Sequence, residues 1–151
     1  MKTATQLLAQ KDPIVWTVTA DQSVLDAIKL MAEKNIGALL VTDAGNASDN
    51  SGANKLIGLL SERDYARKVI LKGKNSHSTT VGEIMSSNLV TVGPDTDVDS
   101  CMALMNKHKI RHLPVLDRNR IVGILSIGDM VKAIIADQQE TIQHLEDYIH
   151  S

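Results

Sequence analysis

The chain says the same thing twice. LIGLLSERDY (Leu56–Tyr65) and IVGILSIGDM (Ile121–Met130) each run an apolar stretch through a glycine into Ser-x-x-Asp. The match extends backwards: Thr17-Val18 align with Thr91-Val92, Asp21 with Asp95, Val24 with Val98, Leu30-Met31 with Leu104-Met105 and Ile36 with Ile110. A unit this long, present only twice, predicts a pseudo-symmetric pair rather than a solenoid array. The register slips once, at AGNASDNSGANK (residues 44–55), a polar Gly/Asn/Ser stretch that reads as an insertion at a loop tip. The expected division is residues 1–76, a first repeat with an N-terminal helix and that insertion, and 77–151, a second repeat with an extended C-terminal helix.

Each repeat predicts the order β-α-β-β-α, so the fold class is α/β (α+β): tandem repeats packed in pseudo-two-fold symmetry. A short strand comes first, IVWTV or NLVTV. Ser23 and Asp97 then stand where N-caps belong. Behind them Val24, Ile28 and Met31, with Leu25 and Ala32, and in the second copy Val98, Met102 and Met105, fall on one helical face. Two apolar strands follow (ALLVTD and LIGLLS; HLPVLD and IVGILS), and their near-continuous apolar character predicts cover on both faces. A second helix begins near Ser61 or Ser126. The last one runs on through DMVKAIIADQQETIQHLEDYIH, where Ile134, Ile142, Leu145 and Ile149 form an apolar side able to dock on a partner chain.

Composition narrows the functions. Hydrophobic residues make up 43% of the 151 and aromatics 2%, with no Phe, so the core must be aliphatic. Few rings and a net charge of −2 argue against a nucleic-acid platform. The single Cys101 excludes an internal disulfide and a Cys-based zinc site. The N-terminal MKTATQLLAQKDP lacks a signal peptide's apolar region, and no apolar run reaches the length of a membrane span, so a cytoplasmic location without a membrane is expected.

The Ser-x-x-Asp pairs have two readings. Ser can cap the helix while Asp reaches back, as in a capping box. The position beyond the carboxyl end of a strand, beside a helix N-terminus, is also where α/β sheets bind ligands. There a carboxylate can accept two vicinal ribose hydroxyls, and the helix N-terminus favours phosphate.

TVTADQSVLDAIKLMAEKNIGALLV with LIGLLSERD, and TVGPDTDVDSCMALMNKHKIRHLPVLD with IVGILSIGD, resemble a CBS-domain pair, the Bateman module named after cystathionine beta-synthase. The resemblance covers about residues 12–136 and points to the stand-alone class of such proteins. It implies a regulatory sensor that binds an adenosine-containing small molecule, namely AMP, ADP, ATP, NAD(H) or S-adenosylmethionine. It further implies a homodimer and a regulated partner protein; no metal cluster emerges from the residues, and no metal is expected to be required for the fold. By resemblance, one pocket uses Ser61 and Asp64 on ribose, Ser86, Val90 and Ile110 around the base, and Arg63, Arg111 and His112 on phosphate. The other uses Ser126 and Asp129 on ribose, with Trp16, Ile36, Gly37 and Ala38 along the base. Arg63 in one turn faces Gly128 in the other, so the first pocket is expected to take the phosphorylated end.

Other features carry less. Trp16 either packs on the first helix or stacks on a base. His108 and His112 are separated by an expected helix end, which argues against a shared metal. LKGKNSHST has Gly-Lys without the upstream Gly of a Walker loop and reads as a linker. No nucleophile–base pair emerges, so the chain is not expected to be an enzyme. The alternatives are a constitutive scaffold whose Ser-Asp pairs are only caps, or a nucleic-acid binder using Lys68, Lys72 and Lys74.

Overall fold

The computed structural model describes residues 2–43 and 55–150; the expected insertion at 44–55 lies, but for Lys55, outside the described residues. In chain order the elements are α1 (Ala4–Leu8), β1 (Thr17–Thr19), α2 (Val24–Lys34), β2 (Ala38–Thr42), β3 (Leu56–Ser61), α3 (Glu62–Tyr65) continuing into a π-helical turn (Ala66–Ile70), α4 (Val81–Ile84), α5 (Val98–His108), β4 (His112–Asp117), β5 (Arg120–Ser126) and α6 (Ile127–His150). The chain forms two compact units. One comprises Ile14–Leu89 and Arg118–Ile121; the other comprises Met1–Pro13, Val90–Asp117 and Val122–Ser151.

In the first-repeat unit, α2 starts because Ser23 Oγ accepts the Asp26 N–H at 3.1 Å, and Asp26 and Lys34 complement the helix dipole at its two ends. It stops at Asn35, whose φ of 54° is the left-handed conformation that ends a helix. Strand β2 pairs in parallel with β1 and antiparallel with β3. All five residues of β2 are buried, as its unbroken apolar run requires. Val24, Ala27, Met31, Leu39, Val41, Leu60 and Val69 share one aliphatic core with Val81 and Ile84 of α4. The buried face of α2 is thus Val24–Ala27–Met31, with Ile28 partly buried at its flank.

The second-repeat unit repeats the design. Asp97 accepts the Ser100 N–H at 2.8 Å to open α5, and Lys109 closes it with φ 54°. Val98, Cys101 and Met105 face the core, where Cys101 is a buried free thiol whose pKa burial raises. Strands β4 and β5 form a hairpin whose two-residue turn, Arg118-Asn119, has φ of 51° and 66°, the left-handed pair a tight hairpin needs.

The sequence reading expected a strand at NLVTV, and the structure corrects it: only Val92 bridges, in parallel, to Val115. Pro94 follows two residues later and has no N–H to extend the ladder.

The units do not follow the repeats' order in the chain. Helix α1 sits with the second repeat, where the Ala4 N–H donates to Thr96 O at 2.8 Å and the Val98 N–H to Lys2 O at 3.0 Å. Helix α4 stands in the same relation to the first repeat, where the Val24 N–H donates to Thr79 O at 2.9 Å. Both helices open with a capping box, Thr3-x-x-Gln6 and Thr80-x-x-Glu83. Both also drop a side chain onto a glycine of the strand that ends in Ser: Leu8 on Gly123 and Met85 on Gly58.

Candidate functional site

Ser61 is the last residue of β3 and the cap of α3. Its Oγ accepts the Asp64 N–H at 3.1 Å, and its own N–H donates to Asp64 Oδ2 at 3.0 Å. Asp64 Oδ1 accepts Lys68 Nζ at 3.2 Å and, more loosely, Ser86 Oγ at 3.5 Å. Lys68 also donates to Ile84 O at 2.9 Å, so the ammonium is tied between the carboxylate and α4. Ser86 is placed by two 2.9 Å backbone bonds with Leu59. The first free N–H of α3, from Glu62, donates to Gly37 O at 3.0 Å, which brings the start of β2 against the cap.

The second turn uses the same frame. The Ser126 N–H donates to Asp129 Oδ2 at 2.8 Å, the Asp129 N–H to Ser126 Oγ at 3.2 Å, and the Ile127 N–H to Arg111 O at 2.8 Å. Its cation comes from far away. Lys11 Nζ reaches Asp129 Oδ2 at 2.8 Å and Ile124 O at 2.9 Å. Burial works against the Asp129 carboxylate, but the Lys11 and Ser126 hydrogen bonds outweigh it and hold its pKa below the usual range. Half-buried His112 lies beside these groups. Burial, then the positive charge of Lys11, push its pKa down, against the opposing pull of Asp129. At neutral pH it is therefore an uncharged imidazole.

The residues singled out in the sequence divide between the units. Trp16, Ile36, Gly37, Ala38, Ser61, Arg63, Asp64 and Ser86 belong to the first-repeat unit; Val90, Ile110, Arg111, His112, Ser126 and Asp129 belong to the second. Within the first unit the structure joins Ser61, Asp64, Ser86 and Gly37; within the second it joins Ser126, Asp129, Arg111 and His112. Arg63 and Arg111 are exposed, and Val90 and Ile110 pack on the second core. Trp16 packs partly buried against the first core with Lys34 Nζ 4.3 Å from its ring centre, a cation–π contact. Lys68, grouped in the sequence with Lys72 and Lys74 as a basic face, is instead folded onto Asp64. Among the described residues no cluster of three or more His, Cys, Asp and Glu could hold a metal ion. No described helix is long and apolar enough to cross a membrane.

Sequence reasoning missed both lysines. Lys68 was readable, four residues after Asp64 on one helical face. Lys11 carried no local signal.

Each turn can therefore offer a hydroxyl, a carboxylate and a neighbouring ammonium at a strand end. In the second, Lys11 and the Ser126 N–H converge on Oδ2 of Asp129, and among the described residues no hydrogen bond reaches its Oδ1.

The CBS domain family model matches residues 6–71 and 81–136. The chain is 42% identical over 133 residues to the mitochondrial CBS domain-containing protein CBSX3 of Arabidopsis thaliana, covering 87% of this chain and 62% of that relative's length. It superposes with a TM-score of 0.80 on a protein with CBS domains from Burkholderia ambifaria MC40-6, at 48% identity over 91% of this chain and 96% of the other. It also superposes, at TM-score 0.74 and 26% identity over 88% and 99%, on the CBS domain pair of protein MJ0100, solved with 5′-methylthioadenosine and S-adenosyl-L-methionine.

Proposed function

Because the chain belongs to the CBS-domain family and carries two such domains in tandem, we propose that it is a regulatory module that binds an adenosine-containing ligand and relays its occupancy to a partner protein. The observation that carries this reading is the duplicated strand-end turn, in which an Asp carboxylate is held by a capping Ser and a lysine. The MJ0100 pair, solved with two adenosine-bearing molecules, supports the ligand class.

In this reading Asp64 and Asp129, with Ser61 and Ser126, accept ribose hydroxyls. Arg63, Arg111 and His112 meet phosphate. Ser86, Val90 and Ile110, and Trp16, Ile36, Gly37 and Ala38, contact adenine. AMP, ADP, ATP and NAD(H) fit that donor set, since Arg can grip phosphate through two bonds. The chemistry is binding without catalysis. The acting form is a cytoplasmic homodimer. A ligand shifts such a module only through its different affinities for two conformations.

The deciding experiment is mass spectrometry of small molecules released from freshly purified protein, followed by calorimetric titration. A nucleotide recovered and rebound supports the reading, and no binding by any adenosine compound sinks it. One observation favours a second reading: the capping bonds of both turns are complete within the protein itself. A constitutive scaffold needs no more than that. A ligand at 100 times its Kd should add about 2.7 kcal/mol to unfolding, whereas a scaffold gains nothing.

A further inference from the structure

Helix α6 outlasts its own core. Its last buried residue is Ala133, yet it continues to His150. Helical propensity sustains isolated segments of this length poorly, so such a segment needs an apolar face to bury.

That face has a specific period. Val131, Ile135, Ile142, Leu145 and Ile149 are 47%, 48%, 55%, 58% and 74% exposed. With Gln138 they are spaced alternately four and three residues apart, the 3.5-residue repeat of a supercoiled helix pair. Another copy of α6 carries the same seam.

We infer that α6 pairs antiparallel with α6 of a second copy of this chain. In that register Val131 layers on Ile149 of the second copy, Ile135 on Leu145, and Gln138 on Ile142, and each layer occurs twice by symmetry. Charge selects the direction. The flanking position beside these layers sets exposed Lys132 against Glu146 of the second copy, again twice. A parallel pair would instead place Lys132 opposite Ile127 and Glu146 opposite Thr141, and would bury Gln138 against itself. An antiparallel pair is self-complementary and closes at two chains. The inference gives the homodimer proposed above a specific surface; it is independent of which ligand binds.

Sedimentation equilibrium of the full chain tests it. The apolar side chains concerned are exposed in the single chain, so their replacement leaves each fold intact. Ile142→Ser with Leu145→Ser should raise the dimer dissociation constant at least about a hundredfold, given the apolar area lost. Lys132→Glu should raise it roughly tenfold, and Lys132→Glu combined with Glu146→Lys should restore it. On oxidation, Ile135→Cys protein mixed with Leu145→Cys protein should give a mixed disulfide dimer, with buried Cys101 silent. An unchanged constant for the Ile142/Leu145 variant overturns the pairing while leaving dimerisation through another surface and the ligand reading in place. Failure of the charge swap to restore association, or self-coupling of Ile142→Cys in place of the mixed disulfide, overturns the antiparallel register.

Discussion

The turns at Ser61–Asp64 and Ser126–Asp129 make the same capping bonds, yet they obtain their cation differently. Asp64 takes Lys68 from the next turn of its own helix; Asp129 takes Lys11 from a segment 118 residues away in sequence. The first turn is electrostatically self-contained. The second is complete only while α1 and the segment behind it stay seated. The turns also differ at their centres, where exposed Arg63 faces solvent and Gly128 offers only backbone. A side chain at Gly128 meets nothing closer than Ser126 Oγ at 3.5 Å, so the difference is chemical rather than steric.

The largest expected effect tests the centres. Replacing Arg63 and Arg111 together by Ala should weaken phosphorylated adenosine ligands by about a hundredfold or more, because each removes a charged hydrogen-bond donor. Gly128→Ala should leave affinity unchanged. Equal losses in calorimetric titration would erase the distinction between the turns.

Next come the lysines. Lys11→Met leaves the Asp129 carboxylate partly buried without its ammonium and should cost about 1–2 kcal/mol in urea unfolding. Lys68→Met removes an i,i+4 pair within one helix and should cost about 0.5 kcal/mol or less. The reverse order would show that the local pair is the stronger.

A third effect follows from Gly123, where an added Cβ would lie 2.6 Å from Leu8 Cδ2. Gly123→Ala should destabilise by about 1 kcal/mol through overpacking, and Leu8→Ala in the same chain should recover part of it. Strictly additive losses would mean that Leu8 does not rest on that glycine.

The smallest effect is in pH. The pKa of His112 is depressed in the folded protein. Its contribution is therefore full above the unfolded value of about 6.5 and is lost as pH falls through the lower folded value. Asp129 is also depressed, and its contribution disappears only at more acidic pH, below about 4. Unfolding midpoints should decline from pH 7.5 to 5.5, and His112→Gln should flatten that decline. An unaltered slope in the variant would assign it to another group.

How much of this was legible depended on the distance over which each signal acts. The caps at Ser23, Asp97, Ser61 and Ser126 are written within four residues, and all of them form. The all-buried β2 was legible from its unbroken apolar run. NLVTV was overread as a strand because its composition suits one while Pro94 forbids the ladder. The placement of α1 with the second repeat and α4 with the first was written only as a faint second repetition, Thr3-x-x-Gln6 and Thr80-x-x-Glu83. Lys11 could not be found at all, since only tertiary structure brings it to Asp129.

The seat of α1 also sets an order of events during synthesis. Everything the first-repeat unit needs from its main segment has been made once Leu89 leaves the ribosome, whereas α1, made earlier, must wait for Thr96 and Val98 to supply its backbone partners. Domains form as their parts emerge, N-terminal parts first. The main segment of one half is thus written without interruption, with only Arg118–Ile121 joining it later, while the other half must bring together an early segment and a late one.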